Sequence, residues 1–302
     1  MSVIQRLCVL ISALCVAAAA PARAEHLGHA PMWRLTSPSG AQITLLGSIH
    51  SLTDAKHWRS PEFDRALRQA DEIWTEIPTI GVHQFGHPDL LLKGMLPPDR
   101  RLDQILSPEL YHRVETIQAR NRWPRGASLL PHMRPWLVDM AIESNAANAS
   151  PAANSHGKEG MDYQIPASAP SRVRRHSLET VDELTLTMMN QSEADQIKSL
   201  EEAVDQVERE AQDPDREAEL VAAYASGDLP SIVADVSSAM QVLGPVRYQR
   251  DVIDRNVKFT RKIERLAKTR KKVLVVVGLG HLVGPDSIPA LLTRDGFRVS
   301  VL

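Results

Sequence analysis

The sequence predicts an α/β protein: a central mixed sheet built from strands at both ends of the chain, with a large helical insertion at about 97–268 between them. Three observations carry this reading. Near the C-terminus, Val273-Leu274-Val275-Val276-Val277 is an unbroken β-branched and aliphatic run, led by Lys271 and Lys272 and stopped by Gly278 and Gly280. Such a run reads as a strand buried on both faces of a sheet. Near the other end, Ile43-Thr44-Leu45-Leu46 is followed by Gly47-Ser48-Ile49-His50, the same form of strand and turn. The long stretch between them has mostly helical signals, so strands from the two termini belong to one sheet rather than to two sequential domains.

The elements follow in order. Arg6, the apolar run Leu7 to Val16 and the small residues ending in Ala22-Arg23-Ala24 read as a secretory signal peptide (1–24), with cleavage after Ala24. The expected product is a single domain, 25–302, periplasmic or secreted. Both cysteines, Cys8 and Cys15, lie in the leader, so the mature chain is expected to have no disulfide and no thiol ligand. Without Arg6 and Arg23 it has 33 basic and 37 acidic residues, a net charge of −4. That balance disfavours nucleic acid as a partner, and no later stretch is long and apolar enough for a membrane span.

Met32 to Ser37 reads as an edge strand turning through Pro38-Ser39-Gly40 into the first motif strand. Ser60 with Pro61 opens a helix to Gln69, and Asp71 to Ile77 is a further strand ending with Glu76. Ser107-Pro108-Glu109 starts a helix, and Arg134 to Ser144 forms another. Asn145 to Glu159, poor in apolar bulk, reads as a mobile loop. Arg174 to Glu179 reads as a short strand, and Thr180 with Glu183 as a capping box. Helices are expected at Glu193–Gln212, Pro214–Ala225, Pro230–Leu243 and Tyr248–Lys268, with Asp213 and Asp228 as caps; the charges at Glu201–Glu210 read as a solvated face, and Met188 and Met189 as core. A short helix from Asp286 to Arg294 and a strand Phe297–Val301 end the chain.

The chemistry lies at strand ends. Open α/β sheets bind ligands outside the carboxyl ends of their strands, and two Gly-x-x-His turns deliver His50 and His281 there. The glycines Gly47 and Gly278 allow positive φ and close backbone approach where the chain leaves each strand. Glu76 adds a carboxylate near a third strand end. Two imidazoles and one carboxylate form a common ligand set for zinc, manganese, cobalt or iron. The competing readings are strand-end histidines bonded to backbone and a solvated edge carboxylate.

The pattern Trp-Arg-x-Thr-Ser-Pro-Ser-Gly at Trp33, Leu-Leu-Gly-Ser-Ile-His to His50, Glu76, Leu178-Glu179-Thr180, Arg255-Asn256 and Val-Gly-Leu-Gly-His-Leu-Val-Gly-Pro-Asp resembles the TraB/GumN family, over nearly all of the chain from Trp33 to Leu302. The family is similar to the Tiki metalloproteases and, more distantly in fold, to erythromycin esterases (EreA) and ChaN-type haem-binding lipoproteins. The resemblance implies His50, Glu76 and His281 as catalytic and metal positions, Gly47 and Gly278 as the turn glycines of the binding site, and Arg255 and Asn256 as a catalytic polar pair on the helix before the last motif strand. Glu76-Ile77-Pro78 departs from the family, where a hydrophobic residue and an acid more often follow the glutamate. The implied function is a metalloprotease-like hydrolase that uses a divalent ion (Mn, Co or Zn) on a peptide or protein substrate. The alternative is a non-catalytic periplasmic binding protein for a peptide or haem. A metal-free variant would use one histidine as general base oriented by Glu76.

Overall fold

The computed structural model describes residues 30–49, 58–78, 88–120, 129–149, 161–269 and 271–302. The expected leader, His50 and positions 150–159 of the expected loop lie outside these. Among the described residues, six strands form one mixed sheet in the order β4-β3-β5-β2-β1-β6. They are β1 (Met32–Thr36), β2 (Gln42–Ser48), β3 (Glu72–Thr75), β4 (Arg174–Ser177), β5 (Val273–Gly278) and β6 (Arg298–Val301). Strands β4, β3, β5 and β2 run parallel, whereas β1 is antiparallel to β2 and to β6. The four parallel strands therefore present their carboxyl ends along one edge.

The apolar run of β5 has the predicted central place, with Val273 to Val277 all buried between β3 and β2. Its flanking lysines meet the acidic start of β3: Lys271 Nζ lies 2.5 Å from Glu72 Oε1, and Lys272 N–H donates to Asp71 Oδ2 at 2.8 Å. Strand β1 is not the expected edge. Met32, Trp33 and Leu35 are buried on both faces, and β6 pairs along β1's other side, from Trp33↔Val301 to Thr36↔Arg298. Short, exposed β6 takes the edge instead, consistent with the way sheets limit open edges.

Helix starts follow local chemistry closely. Ser60 Oγ accepts from Phe63 N–H at 3.0 Å with Pro61 in the first turn, and the helix Pro61–Gln69 buries Phe63 and Leu67. Thr180 and Glu183 form both halves of the capping box of Val181–Met189, and Asp228 caps Leu229–Gln241 through Ser231 N–H. Asp213 is not a cap: that helix is Arg216–Ser226, and Asp215 at its start makes no side-chain capping bond. The last helix begins at Ile288, capped by Ser287 rather than opened by Asp286. That leaves the Asp286 carbonyl outside the helix.

Among the described residues, two apolar cores result. The sheet core takes in Trp58, Phe63, Tyr224, Ile232, Phe259 and Ile263, while a second core gathers Leu102, Val114, Trp136, Ile142, Leu200 and Met188. The stretch 97–268 is thus divided, since β4 and several of its helices pack on the sheet. The helix Pro135–Ala149 runs through the first five residues of the expected loop, because Ala146, Ala147 and Ala149 are good helix formers. The unexpected helix Met161–Ser168 tolerates Pro166 near its end and buries Met161 and Ile165 against the sheet. Glu202 also departs from the expected solvated face: it is buried and accepts from Val246 and Arg247 N–H at 3.3 and 2.9 Å. A carboxylate is stable there because unsatisfied N–H groups at a helix start attract negative charge. No helix among the described residues is long and apolar enough to cross a membrane.

Candidate functional site

Strand register assembles the site. Thr75 of β3 pairs with Val276 of β5, so Glu76, one residue on, lies beside the end of β5. There the Gly278 N–H donates to Glu76 Oε1 at 2.5 Å. A Cβ on Gly278 would stand 3.1 Å from that oxygen, and one on Gly47 would stand 2.4 Å from Leu279 Cδ2 in the turn that carries His281. The glycines therefore serve close approach, as expected. Their backbones are not left-handed: Gly278 has φ −55°, and the positive-φ glycines are elsewhere, so that part of the expectation is corrected. The buried Tyr224 hydroxyl donates to the Gly47 carbonyl, pinning the end of β2.

After Gly278 a single 3₁₀ turn, Leu279–His281, brings His281 back over the sheet edge, where it is only 6 % exposed. Its position is read by the helix Arg255–Ala267, which buries Asn256, Phe259, Thr260 and Ile263. Asn256 Oδ1 lies 2.7 Å from His281 Nδ1, while Asn256 Nδ2 donates to the Asp286 carbonyl at 2.8 Å. A carbonyl only accepts, so it fixes which end of the amide is NH₂. Oδ1 must then face the ring, and Nδ1 must carry a proton. Nε2 is left facing Glu76 Oε2 at 3.5 Å, with the Phe259 ring edge-on to the imidazole at a centroid distance of 5.3 Å.

Arg255 fills the other side. Its Nη2 donates to Glu76 Oε2 at 2.9 Å, its Nε donates to Glu179 Oε1 at 2.7 Å, and Nη1 lies 3.4 Å from His281 Nε2. Burial would raise the Glu76 carboxyl, but neighbouring His281 and Arg255, together with the bond from the Gly278 N–H, hold it well below the ordinary value. Burial likewise opposes the charge on Arg255, yet Glu76, Glu179 and Asp251 raise its affinity for the proton. Both groups are ionised at neutral pH. The helix carrying Arg255 and Asn256 continues directly from a π-helical segment, Tyr248–Asp254, a local widening often found at functional sites.

The structure thus brings together Glu76, His281, Arg255 and Asn256, with Gly278 beneath them. Gly47 supports the turn from the neighbouring strand. His50 follows Ile49 at the end of β2, next to β5, but lies outside the described residues. Sequence reasoning did not single out Glu179 as a site residue. It is 1 % exposed at the end of β4, and its N–H donates to the Glu76 carbonyl at 2.8 Å. The available signal was its place, a strand-end acid immediately before a capping box, matching Glu76.

Glu76 Oε2 and His281 Nε2, 3.5 Å apart, fit two donors of one divalent ion, since such bonds are about 2.0–2.2 Å long. A fixed Nδ1–H on a metal-binding histidine is the usual way its other nitrogen is aimed. Among the described residues, no three His, Cys, Asp or Glu side chains cluster as a metal site; His50, expected as the third donor, lies outside them. No curated protein and no solved structure matched the chain. One family model, described as the TraB/PrgY/gumN family, matches residues 31–301. From Pro31 to Val301, across every strand of the sheet and every residue placed at its carboxyl edge, the chain belongs to the TraB/PrgY/gumN family.

Proposed function

We propose that this protein is an exported, divalent-metal-dependent hydrolase acting on peptide bonds, with its reaction centre between Glu76 and His281. The observation that carries the reading is the lock on His281: Asp286 carbonyl, Asn256 amide and Nδ1–H form a chain that leaves only Nε2 for ligand chemistry, 3.5 Å from an ionised carboxylate oxygen. When bound, a divalent ion would lower the pKa of a coordinated water and polarise a scissile carbonyl. His281 Nε2 and Glu76 Oε2 would hold it, with His50 as the third donor. Asn256 keeps the imidazole in place, and the Gly278 N–H keeps Glu76 Oε1 occupied so that Oε2 faces the ligand side. Arg255 Nη1 supplies a fixed positive charge beside the reacting atoms, suited to developing negative charge on oxygen.

The test is elemental analysis of the purified full chain, with manganese, cobalt and zinc added back, followed by cleavage of a peptide library. The expected result is metal-dependent cleavage lost in His281→Ala and His50→Ala while the fold remains. Tight retention of peptide or haem without turnover would replace the hydrolase reading by the binding one. Intact mass of the secreted or periplasmic form tests export: a chain beginning at Glu25 is expected, and a retained leader would refute cleavage.

A further inference from the structure

Glu179 stands at the end of β4 as Glu76 stands at the end of β3, and the extended parallel pairing sets the two acids side by side. Arg255 lies between them. One Glu179 oxygen takes both Nε, at 2.7 Å, and Nη2, at 2.5 Å, whereas Glu76 takes Nη2 alone, at 2.9 Å. The other Glu179 oxygen is 3.4 Å from Lys258 Nζ. A carboxylate this buried remains charged only when paired and hydrogen-bonded, and Glu179 spends its charge on two cations of one helix. A guanidinium next to a carboxylate tends toward a two-bond, fork-to-fork pair. In this site that pair is not formed with Glu76, because the Nε edge is already held by Glu179. Nη1 faces His281 Nε2 for the same reason.

We propose, resting on the hydrolase reading above, that Glu179 is a positioning residue: it anchors Arg255 by its Nε–Nη2 edge, so that the guanidinium cannot close on Glu76 and Oε2 stays available to a cationic ligand. Removing its charge frees Arg255 to swing onto the remaining acid. Arg255 then competes with any cation for Glu76.

Two readouts on the full chain test this. The first is hydrogen exchange of the Arg255 Nε–H in ¹⁵N-arginine-labelled protein, identified by its loss in Arg255→Lys. It is expected to exchange slowly in wild type and in Glu76→Gln and to lose protection in Glu179→Gln; protection that survives Glu179→Gln but is lost in Glu76→Gln overturns the proposal. The second is Mn²⁺ affinity, expected to fall roughly 10-fold in Glu179→Gln, the lower end of losses from outer-shell changes, with no fall when the same change is made in an Arg255→Gln background. Unchanged Mn²⁺ affinity in Glu179→Gln, or an equal fall in both backgrounds, overturns it. If wild type binds no Mn²⁺, the metal reading fails and the exchange result alone decides the role of Glu179. If Glu179→Gln does not fold, the exchange measurement passes to Glu179→Asp, whose carboxylate is one methylene shorter. Partial loss of protection is then expected, and full protection overturns the proposal.

Discussion

Replacing Asn256 by Ala tests the chain that aims His281. Asn256 is fully buried and makes two side-chain bonds, to His281 Nδ1 at 2.7 Å and to the Asp286 carbonyl at 2.8 Å. Alanine leaves both partners unpaired. Each unsatisfied buried group costs about 1–3 kcal/mol, so with partial relaxation the loss should be about 2–4 kcal/mol. The Asp286 carbonyl sits in the turn before the last helix, and one of its lone pairs can recover water more readily than the ring N–H. Asn256→Asp separates the two terms, because aspartate still accepts from Nδ1–H but cannot donate to the carbonyl. The assay is urea denaturation at neutral pH together with the imidazole ¹⁵N shifts of His281. Asn256→Ala should lose stability and mix the two tautomers, whereas Asn256→Asp should lose stability but keep the proton on Nδ1. Should Asn256→Ala keep both the Nδ1–H tautomer and wild-type stability, the chain from Asp286 to His281 does not aim the ring.

Three further outcomes are expected. Gly47→Ala would place a Cβ 2.4 Å from Leu279 Cδ2 and should cost about 1–3 kcal/mol through overpacking; denaturation of Gly47→Ala with and without Leu279→Ala checks it, since the smaller side chain should recover part of the loss. Arg250→Ala removes the cation bonded through Nη1 at 2.9 Å to Asp139, which is 0 % exposed, and leaves that carboxyl the Ser199 hydroxyl at 2.6 Å; it should cost about 3–5 kcal/mol, with Arg250→Ala/Asp139→Asn recovering part, and additivity of the two would refute the pairing. Glu72 is held below its ordinary 4.5: burial would raise it, but bonds from Lys271 and Trp74 and the charges of Lys271 and His176 prevail. A depressed folded-state value means stability present above pH 4.5 and lost as pH falls through that lower value. Glu72→Gln should therefore be less stable at pH 7 and show a flatter acid limb, read by denaturation midpoints between neutral and acid pH.

Local chemistry was legible wherever a few neighbouring residues decide the outcome. The run Val273 to Val277 reads as a doubly buried strand and is one, Ser60-Pro61 and Thr180 with Glu183 satisfy helix N–H groups within one turn, and the strand-end places of Glu76 and His281 follow from where the apolar runs stop. The family's residue pattern was likewise readable from Trp33 onward, and the family model matches residues 31–301. What tertiary structure alone decided is which of these ends meet. Glu179 stands beside Glu76 only because β4 pairs with β3 across about a hundred residues, and the buried place of β1 depends on β6, more than 250 residues later. Asn256 turns its Oδ1 toward His281 because the last helix starts at Ile288 and leaves the Asp286 carbonyl to orient the amide. Glu202 leaves the solvated face of its helix for two N–H groups more than forty residues on. Periodicity and capping report a residue's bonds to its own segment; strand register and helix packing set its partners elsewhere, and in this site those long-range partners determine which nitrogen carries the proton and which carboxylate holds the arginine.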